Sequence, residues 1–185
     1  MSAHHTKAAP RARHLKACEV VVRYAAPVMR LPVDPAAMSR EDRLIARAKK
    51  ALVRRLAGSN VLIDGPDTLR DFLILELADE AREVFYVAFL DSQNRVISFE
   101  LMFVGTLAQT SVYPREVLRR ALELNAAAVI LAHNHPSGSL EPSQEDQSIT
   151  DVLVRALKLV NIRVLDHFIV AGALRPLSFA ERGLL

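Results

Sequence analysis

Cysteine occurs once in these 185 residues and tryptophan not at all. The lone Cys18 has no partner for an internal disulfide, so the chain must hold together through packing, which fits a reducing, cytoplasmic setting. No apolar run reaches the length a membrane-spanning helix needs, and the expectation is a protein without membrane contact. Met1 to Ala17 lack the apolar stretch and cleavage site of a secretory signal. Glycine is absent before Gly58, and Tyr24 is the only aromatic residue among the first 60. That segment is therefore poorly equipped to stack on nucleic-acid bases.

What is present is a hydrophobic content of 51%, enough for one domain with an extension. The net charge of +3 is unevenly spread. Residues 1–60 hold 13 Lys and Arg against 4 Asp and Glu, whereas the remainder holds 11 against 17. A basic segment of this kind suits nucleic acid or an acidic partner, and equally suits a solvated tail and helix face. The division drawn from these patterns is a basic N-terminal extension with one helix over 1–60 and a second unit over 65–185.

Within the extension, residues 1–17 read as an arm, and Glu19 to Leu31, interrupted by Pro27, carries no clean period. Ser39-Arg40-Glu41-Asp42 opens a helix with a serine cap and early acids. It runs to about Ala57, with Leu44, Ile45, Ala48, Leu52, Val53 and Leu56 on one stripe, and Gly58 ends it. Asp64-Gly65-Pro66-Asp67 reads as a turn, followed by a helix from Thr68 to about Ala78 whose core face is Leu69, Phe72, Leu73 and Leu77. Val84 to Leu90 is β-branched and aromatic enough for a central strand. Asp91 to Asn94 then forms a hairpin turn, with Asn94 able to take positive φ, and the return strand runs from Arg95 to about Phe103. A further short strand is expected between Gly105 and Val112. Pro114 marks the start of a helix reaching Leu124, with Val117, Leu118, Ala121, Leu122 and Leu124 toward the sheet.

The apolar run Ala126 to Ala132 suits a strand buried on both faces, although a buried helix fits the same run. It leads into His133-Asn134-His135-Pro136-Ser137-Gly138. If the strand continues through the first histidine, the period of two sends His133 and His135 to one side, as a metal-ligating pair requires. Pro136 and Gly138 break the ladder, and Pro142-Ser143 leads into a helix from Gln144 to about Leu159. Asp146 falls in its first turn, where a folded-back loop brings the carboxylate to the imidazoles. Two nitrogens and one oxygen with a fourth position for water is the pattern of a catalytic zinc site. Ser143 and Asp146 are also a capping arrangement, which holds with or without metal. The helix stripe is Ile149, Val152, Leu153, Ala156 and Val160. Strands over Ile162 to Ala171 and Leu174 to Ser178, turned at Gly172, close the chain. The order of elements suits an α+β fold, a mixed sheet flanked by helices.

The spacing His-x-His-x(7)-Ser-x-x-Asp resembles the JAMM motif of MPN-type metalloprotease domains. The wording HNHPSG, with the later Ser178-Phe179-Ala180-Glu181-Arg182-Gly183, resembles the bacterial RadC family over roughly residues 65 to 185. The resemblance implies the MPN fold and one zinc ion per chain held by His133, His135 and Asp146. It implies a hydrolase that cleaves a peptide or isopeptide bond in a peptide or protein substrate. The general base it implies is a glutamate just before a core strand beside the metal strand, a place Glu83 matches, with Glu100 on the return strand as the runner-up. Ser143 would donate to the developing oxyanion, a job its capping role competes for. His167 is not required by the motif and reads as a buried, hydrogen-bonded partner rather than a ligand. Longer relatives carry a helix-hairpin-helix region that binds DNA, but without a glycine before Gly58 such a hairpin turn cannot be built here. The competing expectations are a DNA repair or recombination accessory protein acting through the basic half, with weak, non-specific nucleic-acid binding, and a metal-binding scaffold without turnover.

Overall fold

The computed structural model describes residues 39–58, 67–105 and 112–185. The expectations for residues 1–17, for Cys18, for the Glu19 to Leu31 stretch, for the turn before Asp67 and for a strand after Gly105 lie outside those residues. Helix α1 spans Arg40–Gly58. The Ser39 hydroxyl accepts from the Asp42 amide at 3.0 Å and the Asp42 carboxylate accepts from the Ser39 amide at 3.2 Å, a reciprocal cap. It packs against the helix Asp67–Leu77, α2, and the strand Val96–Val104, β2. Leu44, however, is exposed, while Ile45 and Ala48 of the expected stripe are half-buried.

The sheet is built from β1 (Val84–Leu90), β2 (Val96–Val104), β3 (Ala128–Asn134), β4 (Arg163–Val170) and β5 (Leu177–Ser178), in the order β2-β1-β3-β4-β5. Only the β3–β4 pair is parallel. Its crossover is α4 (Gln144–Lys158), as a parallel connection demands. The hairpin between β1 and β2 is closed by the Asp91 carboxylate, which accepts from the Gln93 and Arg95 amides at 2.8 and 2.9 Å, while Asn94 adopts φ 58°.

Alternation along the strands sorts the core into two layers. Tyr86, Ala88, Leu90, Ile130 and Ala132 meet α2 (Asp67–Leu77) through Leu69, Phe72, Leu73 and Leu77, the face expected for that helix. Phe85, Val87, Phe89, Val129 and Leu131 meet α4 and α3 (Pro114–Glu123) through Val117, Ala121, Leu153 and Leu157. Leu122 and Val152 are exposed, contrary to their expected place on the sheet side, and Leu157 takes the buried position instead. Asn125 and Asn161, just beyond the two helices, take φ 50° and 60°, the left-handed conformation with which helices commonly end. The last strand is shorter than expected, two residues rather than five, because the turn at Gly172 extends to Leu174, whose amide donates to the Ala171 carbonyl, and Pro176 has no amide proton for the ladder. Ser178 then caps a one-turn helix, α5 (Phe179–Arg182), that the short local pattern did not announce.

Candidate metal centre

His133 and His135 reach the same side of the sheet by the period of two, but only His133 lies within β3. His135 extends the ladder by one bond, its amide donating to the Val170 carbonyl at 2.8 Å. The chain then turns at Gly138, φ 81°, a conformation few side chains tolerate. His135 Nδ1 lies 2.8 Å from the Ser139 carbonyl, which can only accept, so Nδ1 carries the proton and Nε2 a lone pair.

Asp146 is delivered by the cap of α4. The Ser143 hydroxyl accepts from the Asp146 amide at 3.0 Å, and Asp146 Oδ2 accepts from the Ser143 amide at 2.8 Å and from its hydroxyl at 2.7 Å. The Ser143 proton is thus committed to the carboxylate. Its capping role is realised, and an oxyanion role would require that bond to be exchanged.

These anchors converge three donor atoms. The two Nε2 atoms are 2.9 Å apart, with Asp146 Oδ1 3.1 Å from His133 and Oδ2 3.3 Å from His135. A tetrahedral zinc ion with ligand bonds near 2.1 Å requires donor separations of about 3.4 Å, so the donor set and its spacing fit such an ion after a small expansion. His133 is almost wholly buried, and Asp146 is buried too. Burial alone would raise the Asp146 pKa, but hydrogen bonding to His133 and His135 outweighs it and holds the carboxyl below the usual range. The hydrogen bond to Asp146 raises the His135 pKa. Ionised carboxylate and facing nitrogens together make a place for one shared cation, a proton or a metal.

The trio lies in a cleft of about 890 Å³ whose wall includes Phe85, Val112 and Ile149 and whose polar lining includes Glu83. Glu83 immediately precedes β1, and its charge helps raise the His135 pKa, though less than Asp146 does. Glu100 is elsewhere. It is buried on β2, accepting from the Ser98 hydroxyl at 2.8 Å and from Arg120 of α3 through both oxygens at 2.7 and 2.8 Å. The structure therefore gathers Glu83, His133, His135, Ser143 and Asp146 around one cleft and leaves Glu100 out of its lining.

Two residues at the centre escaped the sequence reading. Asn134, between the histidines, faces the other layer. Its Oδ1 accepts from the Val84 amide at 2.8 Å and its Nδ2 donates to the Glu80 and Arg82 carbonyls at 3.0 Å, tying the segment that carries Glu83 to β3. Thr150 lies one turn after Asp146 and is buried. An amide or hydroxyl side chain inside an otherwise apolar strand or stripe was the available signal. His167 is fully buried and lies 2.8 Å from His133, a partner rather than a member of the trio, as expected. Burial pushes its pKa well below the usual imidazole range.

A family profile described as RadC-like JAB domain matches residues 63–184. A UPF0758 protein of Methylibium petroleiphilum is 54% identical over 153 residues, 83% of this chain and 68% of that protein. One from Dechloromonas aromatica is 60% identical over 120 residues, which cover 65% of this chain and 53% of the relative. YkfG of Escherichia coli, also a UPF0758 protein, is 51% identical over 152 residues, 82% of this chain and 96% of YkfG. The matched stretch thus spans about two thirds or less of the longer relatives and nearly all of the short one.

Proposed function

The chain belongs to the RadC-like JAB domain family, and from that premise we propose that it is a zinc-dependent hydrolase of JAMM type, cleaving a peptide or isopeptide bond in a peptide or protein substrate. The observation that carries this reading is the convergence of His133 Nε2, His135 Nε2 and an Asp146 oxygen within 4.8 Å of one another, in a cleft that Glu83 also lines. Those three side chains would hold one zinc ion per chain. When bound, the ion supplies Lewis acidity toward the scissile carbonyl and lowers the pKa of water to about 7.

The remaining work falls to the protein. Glu83 takes the proton of the attacking water and returns it to the leaving nitrogen, a transfer that contributes on the order of 100- to 10,000-fold in rate. Phe85, Val112 and Ile149 give the bound chain an apolar wall that limits competing water. Ser143 would donate to the oxyanion on exchanging its bond to Asp146, for roughly 3 kcal/mol in other hydrolases. In the same reading the chain works in the cytoplasm, consistent with its single Cys18. A nucleic-acid contact has a secondary, non-specific place, resting on the exposed Arg40, Arg43, Arg47 and Lys50 of α1.

Metal analysis of the protein purified without chelator is expected to find one zinc per chain, and His135→Ala to lose it. Full zinc occupancy in that variant would remove His135 from the ligand set. Glu83→Gln is expected to keep the zinc while the cleavage products that wild-type protein generates in a proteome-wide comparison of peptide termini disappear. Zinc binding with identical peptide termini for both proteins would favour the scaffold without turnover.

A further inference from the structure

Behind the histidine pair, away from the cleft, runs a buried chain of polar groups that hydrolysis itself does not call on. His133 Nδ1 lies 2.8 Å from His167 Nε2, His167 Nδ1 lies 2.6 Å from Thr150 Oγ1, and that hydroxyl lies 2.6 Å from the backbone carbonyl of Asp146. Thr150 and His167 are 1% and 0% exposed, so bulk water does not reach these partners.

The direction of every bond follows from the last acceptor. A carbonyl has no proton to give, so Thr150 donates its only proton to Asp146. The hydroxyl is then left as an acceptor, and His167 must carry its proton on Nδ1. With a neutral ring, His167 Nε2 is a lone pair and His133 donates to it from Nδ1. The proton of His133 is thereby held on the buried side, and its Nε2 lone pair faces His135 and Asp146. The packing maintains this order: the His167 ring lies between Phe85 and Phe179, with centroid distances of 5.6 and 4.7 Å. Asp166, next in chain, ties down the helix that bears Phe179 by accepting from the Ala180 amide at 3.0 Å and the Ser178 hydroxyl at 2.6 Å.

We propose that Thr150 and His167 are positioning residues that lock His133 in the Nδ1–H tautomer, so that its Nε2 is permanently presented to the metal. The chain begins and ends on the ligand set, because the carbonyl that sets its direction belongs to Asp146. One residue therefore supplies a carboxylate oxygen to the trio and orients a second ligand through its backbone. Reversal of any bond would place a proton on His133 Nε2, where the ion has to bind. This inference rests on the reading of His133, His135 and Asp146 as metal ligands.

The test uses the full chain and two measurements. Zinc affinity is measured by competition with a chromophoric chelator, and ring tautomers are read from nitrogen–proton correlation spectra of the zinc-loaded protein. Wild type is expected to show His167 as the Nδ1–H tautomer. Thr150→Val, which keeps the shape and removes the hydroxyl, is expected to bind zinc about 10- to 100-fold more weakly, and Thr150→Ser to restore binding. Affinity in Thr150→Val within about twofold of wild type, or His167 as the Nε2–H tautomer in wild type, overturns the proposal. If circular dichroism shows Thr150→Val unfolded, the wild-type tautomer decides alone. Wild type that binds no zinc overturns the metal reading itself, whereas a failure confined to the variant or the tautomer leaves that reading standing.

Discussion

Asn134 separates the two histidines in sequence and works on the opposite face of the sheet. Its three hydrogen bonds satisfy the Val84 amide and the Glu80 and Arg82 carbonyls at the entry to β1. Asn134→Ala leaves the buried Val84 amide and two partly buried carbonyls without their partner, a cost of about 1–3 kcal/mol in urea unfolding. Because the segment so released carries Glu83, the variant is expected to retain zinc yet lose turnover. Equal losses of zinc and turnover would place the defect in β3 rather than at Glu83. Asp166 offers a second residue-scale expectation. Burial raises its pKa, against lowering contributions from Ser178, Ala180 and His167. An acid whose pKa is raised on folding binds more protons folded than unfolded, so its contribution is fully present below the unfolded value of 3.8 and is lost as pH rises through the raised folded value. Asp166→Asn has no such charge to bury, and its melting temperature relative to wild type is expected to improve from pH 4 to pH 7. A constant difference across that range would remove Asp166 as the source of this pH dependence.

The same contrast between legible and hidden residues recurs among the elements. His133, His135 and Asp146 could be read because strand period and helix capping each fix a direction over two or three residues, independently of what lies across the sheet. Asn134, Thr150 and the tie between Glu100 and Arg120 depend on partners 20 to 54 residues away or on which side of a helix meets the sheet. A helix turns by about 100° per residue, so Leu122 and Val152, one position from the buried Ala121 and Leu153, are exposed though apolar. The Glu100–Arg120 pair joins β2 to α3 with side-chain exposures of 3% and 20%. Glu100→Gln leaves the Arg120 guanidinium short of its main counter-charge. The expected loss is about 3 kcal/mol in denaturant unfolding, the low end for breaking a buried pair, with zinc content unchanged. Glu83→Gln is expected to do the reverse, sparing stability and abolishing hydrolysis. A fully active Glu83→Gln protein beside an inactive but stable Glu100→Gln protein would exchange the two roles.

At the scale of the whole molecule, charge is segregated along the chain, with the basic excess in residues 1–60 and the acidic excess in the part that carries the cleft. Helix α1 belongs to the first part and packs on α2 and β2 of the second, while Arg40, Arg43, Arg47 and Lys50 stay exposed. Exposed cations on a helix attract phosphate by neutralising it and releasing counterions, which makes binding weaken with salt at a slope of about −0.9 per phosphate contacted on duplex DNA. Phosphate contacts position a protein without reading sequence, and Tyr24 is the only aromatic residue of the segment, so stacking adds little. The expected result of fluorescence titration with duplex and single-stranded DNA is weak binding, independent of sequence and lost at physiological salt. Removal of residues 1–60 should abolish it, with circular dichroism of the shortened chain establishing that the sheet still forms without α1. A sequence-specific complex of nanomolar affinity that resists salt would reverse the order of the two functions, placing nucleic-acid recognition above hydrolysis.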